Sequence, residues 1–222
     1  MLAHSPSIVM SGLVLALDAG NTKSYPGSGT TWTDLSGRGN TGTLTNGPTY
    51  NSANGGSIVF DGTNDWVSCS SNPSYNVGTG DFSVFCWMKS NNKSNYQSIM
   101  TLDDAATGNG ILFYTNAGDG VLRTWIGGSV RNGSIDICNN TWNFVGVTRI
   151  SGTVTHYINS ISNGTYIASG SVIANQNLRL GSYDGSGYMF NGNISNAQIY
   201  NKALTAAEIQ QNYNALKGRF LI

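Results

Sequence analysis

The chain has 222 residues, 10% of them charged, and its 11 basic and 11 acidic side chains cancel. An average domain carries about 25% charged residues, so Asn, Ser, Thr and Gly must supply the polar surface here, while a 39% hydrophobic content leaves ample material for a core. The lack of a basic stripe argues against electrostatic binding of nucleic acid. Three widely spaced cysteines (Cys69, Cys86 and Cys138) argue against a disulfide framework and a zinc site, and favour reducing conditions during assembly.

Residues 1–7 read as a flexible arm. The apolar run Ile8–Leu17 is broken by Ser11 and Gly12, has no basic flank and is too short to span a bilayer, so it predicts a strand and neither a signal peptide nor an anchor. Leu13–Ala19 is nearly continuous in apolar character and is expected to be buried on both faces. Residues 20–56, rich in Gly, Asn, Thr and Ser, predict a long loop that Trp32, Leu35, Leu44 and Tyr50 would anchor.

Short strands are predicted at 57–60 and 65–69, around an Asp61-Gly62-Thr63-Asn64 turn. The strongest strand is 81–89, where Phe82, Val84, Cys86 and Met88 share one face and Phe85 and Trp87 the other. Further strands are expected at 97–102, 110–116, 120–126, 141–150, 153–159 and 177–181. Asn109-Gly110, Asp119-Gly120 and Asn163-Gly164 mark hairpins. The alternation after Asn193 puts Ile194, Gln198 and Tyr200 on one face of a last strand.

One helix follows, at 205–216. Thr205 and Glu208 form a capping box, Leu204 and Ile209 a hydrophobic staple, and Ile209, Tyr213 and Leu216 one apolar stripe. Lys217 and a left-handed Gly218 would end it. Many short strands with turn pairs between them predict an all-β class: a two-sheet antiparallel jelly-roll sandwich with one short C-terminal helix.

Four landmarks occur in order: Phe60-Asp61-Gly62-Thr63-Asn64-Asp65-Trp66-Val67, Phe82–Lys89, Trp142–Arg149 with Val154–Asn159, and Gly192–Tyr200 running into Asn201-Lys202-Ala203-Leu204-Thr205. Together they resemble the laminin G-like, concanavalin A-like lectin and glucanase domains. The resemblance implies a jelly-roll domain over 13–216, with an N-terminal arm at 1–12 and a C-terminal tail at 217–222. The opening Asp18-Ala19-Gly20-Asn21 through Gly37, and the Lys217-Gly218-Arg219-Phe220 ending, resemble structural proteins of tailed bacteriophages, marine ones in particular. Two departures stand out: Ser195-Asn196 occupies a site that is often an acidic pair, and Asn159-Ser160 a site that is often Asn-Gly.

Retaining glucanases on such a fold need two carboxylates about 5–5.5 Å apart. This chain has one glutamate, Glu208, already used as a cap, and Asp103-Asp104 are neighbours that would face opposite ways on a strand. His4 lies in the arm, and His156 shares a strand face with Val154 and Ile158, which suits a satisfied core histidine. No catalytic residue is assigned. Calcium is the one cofactor considered, with Asp34, Asn40, Asp61 and Asp65 as candidate oxygen donors; Asx turns explain the same residues.

Tyr114, Trp125, Tyr183 and Tyr188 are candidate glycan contacts, the last two in the turn-rich loop 181–188. Phe220, Leu221 and Ile222 form a candidate attachment element. The expected function is non-enzymatic: a virion decoration or appendage protein, assembled in multiple copies with other virion subunits and able to contact surface polysaccharide. The alternative is an extracellular carbohydrate-binding lectin module. Neither reading involves nucleic acid or membrane insertion.

Overall fold

A computed structural model describes residues 7–104, 109–173 and 177–221. In chain order the strands are β1 Leu13–Asp18, β2 Thr31–Trp32, β3 Gly42–Thr45, β4 Thr49–Asn51, β5 Ser57–Asp61, β6 Trp66–Cys69, β7 Phe82–Lys89 and β8 Gln97–Asp104. They continue as β9 Asn109–Thr115, β10 Val121–Ile126, β11 Ser129–Asp136, β12 Asn143–Ile150, β13 Thr153–Ile158, β14 Ile161–Ile167, β15 Leu178–Leu180 and β16 Asn191–Tyr200. One α-helix, α1 Ala206–Leu216, follows.

The strands pair antiparallel into two eight-stranded sheets. Sheet A runs β14-β13-β12-β7-β16-β5-β4, with β1 also paired to β16; sheet B runs β11-β10-β9-β8-β15-β6-β3-β2. This is the expected all-β jelly-roll sandwich with a single C-terminal helix. β7 shows why the sheets stack. Phe82, Val84, Cys86 and Met88 enter the core between the sheets, while Phe85 and Trp87 face outward into a second apolar layer. Gly146, opposite Phe85, must be glycine, because a Cβ there would stand 2.0 Å from the Phe85 ring.

The outer face of sheet A is covered. Ile209, Leu216 and Tyr213 of α1 lie over Phe85, Trp87, Phe144 and Tyr200. The helix begins in the expected capping box, with Thr205 and Glu208 satisfying each other's backbone N–H. It does not end as expected. Lys217 stays right-handed, the chain tightens into a 3₁₀ turn over Lys217–Arg219, and the positive φ falls on Leu221, not on Gly218. That turn tucks Phe220 between Trp87 and Trp142, with ring centroids 4.3 and 4.7 Å away.

Residues 7–12, expected within an arm, lie against the same layer: Val9 N–H donates to Asn212 Oδ1 at 2.8 Å and Val9 C=O accepts from Tyr200 OH at 3.0 Å. The expected loop at 20–56 contains β2, β3 and β4. Trp32 and Leu44 are buried in the main core, Tyr50 packs against it, and Leu35 packs on the outer layer. Asn163-Gly164 is no hairpin turn; it lies inside β14, and the turn into that strand is Asn159-Ser160. A bulge at Ser195 shifts the phase of β16, so Ile194 joins Ala197 and Ile199 in the main core, while Tyr200 joins the outer layer.

The three cysteines are free and buried. Among the described residues no helix is long and apolar enough to cross a membrane.

Candidate functional site

The helix and both ends of the described chain cover sheet A, whereas the outer face of sheet B is crossed by the loop between β15 and β16. Side chains alternate along β10: Leu122 and Ile126 enter the core, so Arg123 and Trp125 face out. Register then fixes their neighbours. Arg123 stands opposite Tyr114 on β9 and Asn132 on β11, and Trp125 opposite Leu112 and Val130.

Four tyrosines gather on this face. Tyr114 stacks on Tyr188 at 5.9 Å and 22°, Tyr96 lies 5.2 Å from Tyr188 and 6.0 Å from Tyr114, and Tyr183 lies 5.6 Å from Tyr188. The guanidinium of Arg123 stands over Tyr96 and Tyr114, 5.6 and 5.8 Å from the centroids, within cation–π range. Its Nε donates to Asn132 Oδ1 at 2.5 Å. Tyr188 is 39% exposed and Tyr114 only 5%, so Tyr188 offers the ring and Tyr114 backs it. Burial raises the Tyr114 hydroxyl above the usual tyrosine value, against the opposing pull of Arg123.

The loop between β15 and β16 is built to hold Tyr188. Asp184 Oδ1 accepts from Ser186 N–H, Ser186 Oγ and Gly187 N–H at 2.7–2.9 Å. These bonds, led by the one from Ser186 N–H, keep the carboxyl below its ordinary range. Ser182 Oγ accepts from Gly185 N–H, and Tyr188 C=O accepts from Ser98 N–H at 2.7 Å, tying the loop to β8. Tyr188 itself has φ 51°. A bulky residue in that left-handed region costs on the order of 1–3 kcal/mol, and such strain collects at ligand clamps. Beside the ring runs a groove of about 360 Å³ lined by Tyr96, Tyr188, Met189, Ser94, Asn95, Ala117 and Gly62, within the size range of small-molecule sites.

The sequence candidates thus divide. Tyr114, Tyr183 and Tyr188 come together. Trp125 shares their face and, among the described residues, makes no ring contact with them. Tyr96 and Arg123 complete the cluster and were missed. The alternation that exposes Trp125 exposes Arg123 as well, so Arg123 was legible; Tyr96, just ahead of β8, carried no local signal.

The candidate calcium donors make hydrogen bonds within the fold, although the buried Asn40 Oδ1 has no partner among the described residues. Asp34 is buried, and its two oxygens accept four bonds: Ala16 N–H and Ser36 N–H on Oδ1, Ser36 Oγ and Asn40 N–H on Oδ2. Four donors fill a carboxylate's lone pairs, so a cation there would have to displace backbone bonds. Asn40 donates to Val14 C=O and to Ser74 Oγ. Asp61 Oδ1 caps Thr63 N–H, and Asp65 Oδ2 accepts from Asp61 N–H; burial raises the Asp65 carboxyl. Among the described residues no three His, Cys, Asp or Glu side chains gather as a metal set.

Of the candidate attachment residues, Phe220 is 4% exposed and belongs to the outer apolar layer, so it is not presented to a partner; Leu221 is 88% exposed, and Ile222 lies outside the described residues. Glu208 pairs with Lys202 at 2.6 Å in addition to its cap. His156 is buried between the sheets, 2.8 Å from Thr124 Oγ1. His4 lies outside the described residues.

The architecture is a two-sheet antiparallel sandwich with one face packed by its own helix and an aromatic cluster on the other. The family model described as "Concanavalin A-like lectin/glucanases superfamily" matches residues 61–210, more than half of the chain, and the protein belongs to that superfamily. No curated protein sequence matches.

Among solved structures it is similar to the binding domain of Paraclostridial Mosquitocidal Protein 1 (TM-score 0.72, 18% identity, 92% of this chain and 52% of that one). It is also similar to the receptor binding domain of botulinum neurotoxin C/D mosaic serotype (TM-score 0.72, 17% identity, 92% and 51%). A third is domain 4 of an extracellular arabinanase from Geobacillus stearothermophilus, in complex with arabinotriose (TM-score 0.69, 18% identity, 91% and 98%). The chain spans about half the length of the toxin domains and nearly all of the arabinanase domain. At these identities the likeness is one of fold.

Proposed function

We propose that this protein is a non-catalytic, lectin-type binding module that holds a glycan against the tyrosine cluster of sheet B. The observation that carries the reading is the strained, half-exposed Tyr188, backed by Tyr114 and flanked by Tyr96 and Tyr183. A tyrosine ring offers an apolar face to the C–H face of a sugar, and its hydroxyl a polar edge. The groove beside it is lined by Ser94 and Asn95, which supply hydrogen bonds for sugar hydroxyls. That domain 4 of the arabinanase was solved with arabinotriose supports a glycan as the kind of ligand this fold can hold.

The test is a glycan array with the whole chain, repeated with Tyr188→Ala. Reproducible binding should weaken at least tenfold, about 1.4 kcal/mol, while the protein stays folded with its melting temperature lowered by several degrees, because Tyr188 gives up its ring contacts but lies outside the main core. Binding that survives Tyr188→Ala would refute the site.

A second reading places the module on a virion, as a decoration or appendage protein in multiple copies. It is favoured by one geometric fact: residues 7–12 and 217–221 lie on the sheet A side and the tyrosines on the sheet B side, so a domain held from the first displays the second. Absence of the protein from purified particles would sink it.

A further inference from the structure

We propose that the outer face of sheet B selects an acidic glycan, a linear chain bearing carboxylates, with Arg123 and Arg179 as two anion-binding forks. The inference rests on the glycan reading above and adds the chemistry of the ligand.

Arg179 lies on β15 opposite Ser68 of β6 and Thr101 of β8, flanked by the core residues Leu178 and Leu180, so it faces out on the same side as Arg123. Each arginine stands over an aromatic ring: Arg123 over Tyr96 and Tyr114, Arg179 over Trp66 at 5.6 Å. Stacking fixes the plane of a guanidinium and leaves its edge for bidentate recognition of a carboxylate. Neither is ion-paired with a carboxylate among the described residues. The Nε of Arg179 is buried and has no hydrogen-bond partner among the described residues, which leaves its Nη atoms for a ligand. Two cations without an ion pair among the described residues thus stand on the outward side of sheet B. The acid in the overlying loop, Asp184, has Oδ1 turned into its own turn.

The spacing argues for a polymer. Between β15 and β10 lie β8 and β9, three inter-strand steps, and the two arginines are offset by two residues along the strands. At about 4.8 Å per step and 3.4 Å per residue, the backbone positions of the two arginines are roughly 16 Å apart. That is too far for one sugar and suits a repeated acid along an oligosaccharide. Tyr114 on β9 and Tyr188 of the overlying loop lie between the forks, and aromatic rings suit sugar ring faces better than a peptide.

Titration calorimetry on the whole chain can decide this, with an oligogalacturonate, its fully methyl-esterified form and a sulfated oligosaccharide of equal length as probes. The acid should bind at least tenfold tighter than the ester. That preference should fall in Arg123→Gln and in Arg179→Gln, and return only in part in Arg123→Lys, which keeps charge and loses the fork. Melting temperatures identify folded variants, and Arg179→Gln with Arg123→Lys carry the test if Arg123→Gln does not fold.

An ester that binds as tightly as the acid, or a double variant that keeps the preference, overturns the charge assignment; the glycan reading then stands or falls separately on whether Tyr188→Ala abolishes binding of the ester. Tighter binding of the sulfated chain overturns the carboxylate assignment. Equal binding of poly-glutamate overturns the glycan. Failure of folded protein to bind any of these probes overturns the acidic-glycan proposal, while the glycan array decides the wider reading.

Discussion

His156 sits between the sheets at 1% exposure, its Nε2 held by Thr124 Oγ1, which also bonds the Tyr166 hydroxyl. Burial lowers its pKa to about 4, against 6.5 when unfolded. The proton therefore favours the unfolded chain. Stability from this residue is complete above pH 6.5, falls as pH drops, and is exhausted near pH 4. The gap corresponds to roughly 3 kcal/mol across that window. His156→Gln should flatten the acid limb of a plot of melting temperature against pH between 4 and 6.5, whatever it does to the plateau. An unchanged slope would mean that other groups set the acid limb. The same residue shows how burial separates chemistry from structure. A lone histidine on an apolar strand face reads as a packed residue, and its Thr124–Tyr166 network, drawn from two sheets, is a structural link.

The β13–β14 turn shows what can be tuned in a single element. Asn159 and Ser160 have φ 51° and 67°, the doubly left-handed pattern of a two-residue hairpin. Asparagine tolerates that region, but serine there costs about 1–2 kcal/mol. Ser160→Gly removes the strain at the entropic cost of a glycine, about 0.5–1 kcal/mol. The melting temperature should rise by about 1–3 °C; a fall would mean that the bond from Ser160 Oγ to Gln210 Oε1, 2.9 Å, outweighs the strain.

Elements with a buried face were legible in the sequence because burial imposes a period. β7, β12 and the α1 stripe stand where alternation and capping put them. β11 and β14 were missed because they are edge strands with mostly exposed side chains, so nothing selects a hydrophobic period. The bulge at Ser195 was illegible for another reason: an inserted residue keeps the composition of a strand and changes only its phase. The site was half legible. Tyr183 and Tyr188 announce themselves in a turn-rich loop, but their meeting with Tyr96 and Arg123 depends on strand order, which no local pattern encodes.

For the whole molecule, the distinction between the two sheet faces decides what each end of the described chain does. Sheet A presents Phe85, Trp87 and Phe144 outward, an area of aromatic surface that would be a liability if left open. Two segments distant in sequence close it: residues 7–12, and helix α1 with the contiguous 3₁₀ turn that delivers Phe220. Arg219 locks that turn to β1 by a two-pronged pair with Asp18 at 2.6 and 2.9 Å. If Phe220 is part of this lid, Phe220→Ala opens a void between Trp87 and Trp142. A buried Phe→Ala change costs about 3–5 kcal/mol, which for a domain of this size is about 6–20 °C in melting temperature. If instead the residue served mainly as an attachment anchor, truncation would spare the isolated domain and impair only its assembly. A melting temperature within about 2 °C of the parent would therefore remove Phe220 from the lid. A large drop with glycan binding retained below the transition would show that the sheet A cover stabilises the fold while the sheet B face recognises the ligand, the division of labour that leaves one face free to bind.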